Sequence, residues 1–171
     1  MHHNPRRFAL CSITVLALAL LAAGSGQPQE FDEGSYVVTD LDTIYESAPK
    51  IDEGMDLFFK KVQFVATIEQ APKECVAVII SRVFKILGLG EAPAVNHCMK
   101  LRSPNGRVAS VYVEDVLVKT ASDELSEGQR ILVYAAYLWY NGVTQQPGML
   151  VTGFIEEPYE PADQKRDNTG D

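Results

Sequence analysis

Cys75, Cys98 and His97 carry the most reactive side chains beyond the apolar amino terminus. Three chemistries are open to such a set: a disulfide, a thiol activated by imidazole, and a metal site. A metal site needs further ligands at regular spacing, and none is present, so no metal or other cofactor is expected. Activation of Cys98 by His97 fails on geometry, because neighbouring residues of an extended chain point to opposite faces. The disulfide remains, with a pair of free thiols as its alternative. In an oxidising compartment Cys75 and Cys98 pair, and the closed loop contributes about 3 kcal/mol on the chain-entropy account. His97 shares its parity with Val95, Met99 and Leu101, which predicts a partly buried, hydrogen-bonded ring.

Other catalytic signatures are incomplete. A serine triad would have to use His97, and no Gly-x-Ser-x-Gly elbow occurs. Asp40, Asp42 and Glu46 in DLDTIYE have the acids of a calcium loop, but Ile44 occupies the fifth position and the turn glycine is missing, so a solvated acidic segment is expected. GLGEAP, beginning at Gly88, lacks the third glycine of a phosphate-binding turn and reads as a loop. No catalytic residue is assigned. A hydrolase would have to use carboxylates such as Glu114 or Asp115 converging in a pocket.

The aromatic residues are the remaining candidates. Tyr134, Tyr137, Trp139 and Tyr140 crowd into GQRILVYAAYLWYNG, and Tyr112 precedes them. Aromatic residues on a central strand usually belong to the core. Those nearest a loop can instead take a sugar or a partner's side chain. Trp139 and Tyr140, beside NGVTQQPG, together with Tyr112, are the expected partner-binding residues, with Tyr137 in the core.

The elements that must position these residues follow from periodicity. KKVQFVATIEQ alternates Val62, Phe64, Ala66 and Ile68 against polar neighbours, as a half-buried strand does. VNHCMKLRSPNGRVASVYVEDVLVK reads as two strands joined by a Pro104-Asn105-Gly106 turn, since Asn-Gly tolerates positive φ. ASDELSEG is a polar connection closed by Gly128, and GMLVTGFIEE a final strand. Pro72 to Leu87 has Val76, Ile79, Ile80, Val83, Phe84 and Leu87 at helical steps, Pro72 in the first turn and Gly88 after the last. A helix is expected there, although its Val and Ile content also suits a strand.

The strand from Gly128 to Asn141 is apolar on both faces and needs cover on both. The expected fold is therefore α+β and mostly antiparallel: one curled sheet of about five strands, with the Pro72 to Leu87 helix over one side. The curl itself, or the segment SYVVTDLDTIYESAPKIDEGMDLFF, closes the other. If Pro72 to Leu87 were a strand, a small all-β barrel resembling the OB fold would follow.

The amino terminus has Arg6 and Arg7, an apolar run from Phe8 to Ala23, and small residues at Gly24, Ser25 and Gly26, the three parts of an export leader. The run is shorter than the ~20 residues of a bilayer span. A cleaved leader over 1–26 is expected, followed by a flexible acidic linker over 27–35, one globular domain over 36–157 and a polar tail over 158–171. An uncleaved anchor is the alternative. The chain has 15 basic and 23 acidic residues. Losing Arg6 and Arg7 leaves 13 against 23, a net charge of −10. Such a surface repels nucleic acid and anionic lipid and leaves no stable membrane insertion after cleavage, but it admits basic partners.

The function expected from these features is a non-enzymatic, exported domain of the bacterial envelope, periplasmic or secreted, that binds a protein or glycan partner. An immunity or inhibitor protein that neutralises a basic toxin or hydrolase is the alternative, and a hydrolase with unidentified carboxylates is the third.

Overall fold

The two-faced stretch is β5 (Arg130–Asn141), and each of its faces is covered by a different layer. The computed structural model describes residues 33–156, so the leader at 1–26, most of the 27–35 segment and the tail at 158–171 lie outside the described residues. In chain order the other strands are β1 (Val37–Val38), β2 (Met55–Glu74), β3 (His97–Arg102), β4 (Val108–Val113) and β6 (Gln146–Glu156). The helices are α1 (Leu41–Glu46), α2 (Val78–Leu87) and α3 (Asp115–Glu124), preceded by a single 3-10 turn at Glu33–Ser35.

Long β2 pairs with β5 through its first two thirds and with β3 through the remainder. β3 pairs with β4, β4 runs parallel to β6, and β6 pairs with β5. Five strands thus close a ring, β2-β3-β4-β6-β5-β2, with the two-residue β1 added in parallel at Val62 and Gln63. The expected curled, mainly antiparallel sheet is present, and it carries both features that the sequence presented as alternatives: a packed helix and a barrel-like closure.

Closure makes the inside of the ring one core. Val62, Phe64, Ala66 and Ile68 of β2 meet Met99, Leu101, Val111, Val113, Ile131, Val133, Ala135, Met149 and Val151 there. The two ends are plugged. α1 puts Leu41 and Ile44 under the end where the β3–β4 and β5–β6 turns lie, and α3 puts Ala121 and the following Leu125 under the other. Outside the ring a second core forms, in which Ile80 and Val83 of α2 lie on Ala136, Leu138, Trp139 and Leu150. Further along the outer face, Tyr36 meets Tyr134 edge-on, with ring centroids 5.2 Å apart.

Several boundaries move. The helix begins at Val78 and not at Pro72, because β2 continues to Glu74. Pro72 occupies the irregularity where β2 shifts register between Gln70 and Lys73, a place where a missing N–H breaks no ladder bond. Val76 therefore lies outside the helix and is 84% exposed. The stop signal is as expected: Gly88 adopts φ 66°, and the Leu89 N–H reaches back to Phe84 O at 3.0 Å. The hairpin turn is also as expected, with Gly106 at φ 86° and Ser103 N donating to Arg107 O at 2.8 Å.

EDVLVK, whose apolar residues suit the end of a strand, opens α3 instead. Leu117, Val118, Ala121 and Leu125 share one helical face against the inner core. DLDTIYE is α1 and is not a solvated segment. Asp40 caps it by accepting Thr43 N at 2.7 Å, and Asp42 is buried, accepting Ser103 Oγ at 2.9 Å.

Candidate functional site

Four elements meet at the α1 end of the ring and form a shallow groove of about 450 Å³ lined by Tyr45, Arg107, Val108, Tyr140, Thr144, Gln145 and Gln146. α1 brings Tyr45 there because Leu41 and Ile44, one turn apart on its buried face, anchor the helix. The β3–β4 turn brings Arg107, whose guanidinium lies over the Tyr45 ring at 4.7 Å and whose Nε is 3.9 Å from Asp42 Oδ1. The Tyr45 hydroxyl donates to Gln146 Oε1 at 2.7 Å. The β5–β6 turn is held by Asn141 Oδ1, which accepts Val143 N and Thr144 N at 3.0 Å. In that turn Gln145 takes φ 50°, the one positive φ of a non-glycine among the described residues.

Burial pushes the Tyr45 phenol up to about 12, against the opposing pull of Arg107. The phenol stays neutral at physiological pH and donates hydrogen bonds. The groove is therefore lined by a phenol hydroxyl held by Gln146, by amides and by a guanidinium stacked on the Tyr45 ring.

The expected aromatic edge is corrected by a β-bulge. Register between β5 and β6 shifts between Tyr137 and Trp139, so Trp139 leaves the parity it shares with Tyr137 and joins Leu138 on the outer face. Trp139 is 5% exposed, enclosed by α2 and by Tyr112, whose ring centroid is 5.7 Å away. Tyr112 is half-buried in the same cluster, and burial raises its pKa. Tyr140 is 8% exposed, and its remaining surface lines the groove. Trp139 and Tyr140 are thus not the exposed pair expected from their nearness to the loop; the bulge and the α2 layer bury them. Tyr137 belongs to the inner core, as expected, with Phe58 edge-on at 4.5 Å. Its hydroxyl is buried without a hydrogen-bond partner among the described residues, and burial, reinforced by Tyr140 and Asp56, pushes its pKa up to about 12.

Tyr45, Arg107 and Gln146 were not singled out from the sequence. The available signals were the Asp40 cap, which marks a helix start, and Arg107 directly after an Asn-Gly turn.

Cys75 and Cys98 form a disulfide with their Cα atoms 5.7 Å apart, tying the two ends of the connection that carries α2. Replacing both with serine is expected to lower stability by about 3 kcal/mol. Urea unfolding measures this, and a loss below about 1 kcal/mol would contradict the entropic account.

His97 donates from Nδ1 to Asp115 Oδ1 at 3.0 Å, as its parity suggested, while Asn96 bonds both Asp115 oxygens. The His97 bond first, and the Asn96 N–H next, hold the Asp115 carboxyl below its ordinary value of 3.8. A depressed folded pKa means that the stabilisation is complete above the ordinary value and is lost as pH falls through the folded one. Acid unfolding followed by circular dichroism should therefore show a steeper loss below that value for the native protein than for Asp115→Asn. Identical acid limbs would contradict this. Burial raises the neighbouring Glu114, but neither carboxylate lines the groove.

Among the described residues no cluster of three His, Cys, Asp or Glu side chains could hold a metal, and no helix is long and apolar enough to cross a membrane. Compared with known proteins, the chain matches no family model and no curated sequence.

Proposed function

We infer that the chain is an exported, non-enzymatic binding domain of the bacterial envelope, and that its partner, a glycan or a protein segment, enters the groove at the α1 end of the ring. The observation that carries this reading is the convergence of Tyr45, Arg107, Tyr140 and Gln146 from four separate elements onto one groove. Side-chain amides and a guanidinium beside a neutral phenol and the apolar Val108 match the mixed hydroxyl and apolar surfaces of a sugar, so a glycan is the favoured partner. The left-handed Gln145 at the lip supports it, since such backbone concentrates at binding sites. Export is supported by the Arg6-Arg7 leader pattern and by a disulfide suited to an oxidising compartment.

An array of neutral and acidic envelope oligosaccharides, probed with the purified protein, tests the reading. Arg107→Ala combined with Gln146→Ala should weaken capture at least tenfold, on the order of 1.4 kcal/mol, with the melting temperature preserved. Undiminished capture removes the groove from the account. Capture of a basic toxin or hydrolase in place of any glycan would favour the inhibitor reading.

A further inference from the structure

The outer face of β2, β3 and β4 carries an ordered set of cations on an otherwise acidic protein. Directly paired residues of antiparallel strands point to the same side. Register therefore places Lys73, Cys98 and Tyr112 in one row, Gln70, Lys100 and Ser110 in the next, and Thr67, Arg102 and Val108 in the third. The alternate residues, among them Met99, Leu101, Ala109 and Val111, fill the ring, so these three rows face outward. Lys73, Lys100, Arg102, Ser110 and Val108 are exposed. Arg102 pairs with Glu69, while no hydrogen bond or ion pair among the described residues engages Lys73 or Lys100.

We propose that this face binds an anionic polysaccharide of the uronic-acid class, whose carboxylates lie along Arg102, Lys100 and Lys73. Along β3 and β4 successive rows stand about 7 Å apart, a spacing for an extended polymer and not for a single ion. Ser110 and Thr67 flank the cations with hydroxyls suited to sugar hydroxyls. Among the described residues the paired rows of this face hold one ring, the half-buried Tyr112, and so no run of aromatics on which unstacked bases could lie. The net negative charge of the chain does not prevent this, because at physiological salt charges separated by more than about 8 Å are largely screened. The inference rests on the preceding reading only for the glycan class; its residues are different ones.

Titration with oligogalacturonate, with its neutral methyl ester and with single-stranded DNA of equal charge tests this. Oligogalacturonate should bind, its methyl ester should bind at least tenfold more weakly, and added salt should weaken the complex. Lys100→Gln with Arg102→Gln should reduce binding at least tenfold. Lys85→Gln with Lys119→Gln, which removes the same charge from the two helices, should leave it unchanged, as should Arg107→Ala with Gln146→Ala. Equal binding by the face variant and the native protein would overturn the proposal, as would an absence of oligogalacturonate binding or equal binding of the DNA. Loss of neutral-glycan capture in the groove variant alone concerns the groove and leaves the face intact.

Discussion

Gly148→Ala is expected to destabilise the protein by about 3–5 kcal/mol, although alanine is among the mildest substitutions available. Gly148 faces Trp139 across β5 and β6, and a Cβ at Gly148 would lie 1.8 Å from Cε2 and 2.1 Å from Cδ2 of the indole. Atoms cannot approach so closely, so one of the two must move. The indole has no free direction, being enclosed by α2, Leu57 and Tyr112. Relief therefore means lifting Trp139 out of the outer core and losing its burial. The opposing effect, a stiffer unfolded chain, is worth only about 0.4–1 kcal/mol, so the clash dominates. A double-mutant cycle isolates the cause. In a Trp139→Ala background Gly148→Ala should cost almost nothing, giving a coupling of at least about 2 kcal/mol. Trp139 is the sole tryptophan, so its fluorescence reports on its own environment and should shift to the red in Gly148→Ala. Unchanged stability and unchanged emission would show that the ring does not lie on Gly148.

The same pair shows where sequence reading stops. Period-two alternation identified the inner faces of β2 and β3, and the Asn-Gly pair identified the hairpin, because each of these depends on neighbours within one strand or turn; β5, apolar on both faces, offered no such choice. Trp139 depends on an extra residue in the ladder at Leu138, which no local pattern records, and a single bulge reverses the face of everything after it. The missed helices failed for a related reason. α1 is six residues long, too short to establish a period, and its stability derives from the Asp40 cap and from Leu41 and Ile44 entering the ring. The first turn of α3 contains Val116, Leu117 and Val118, whose composition suits a strand; only the recurrence of Leu117, Ala121 and the C-cap Leu125 every four residues marks the helix. The groove was hidden for a third reason. Tyr45, Arg107 and Gln146 are far apart in the chain, and ring closure alone brings them together.

Replacing Ile80 with alanine is expected to cost about 2–5 kcal/mol, whereas Val76→Ala, four residues earlier, should change stability by less than about 0.5 kcal/mol. The sequence placed both residues on one helical stripe. In the structure Ile80 is 1% exposed against Ala136, Leu138 and Leu150, while Val76 precedes α2 and points into solvent. The contrast measures how the outer face of β5 is covered, because Ile80 and Val83 are the most deeply buried contacts between α2 and the ring. The disulfide limits how far the damage extends. With Cys75 and Cys98 joined, a loosened α2 stays tethered at both ends of its connection, so the inner core of the ring should persist. Hydrogen exchange distinguishes the layers: in Ile80→Ala the amides of α2 should lose protection before those of β2 and β5. Equal small losses at Ile80 and Val76 would mean that α2 does not cover the sheet, and the two-faced strand would then need another partner. Equal large losses would return Val76 to the helix and restore the start at Pro72.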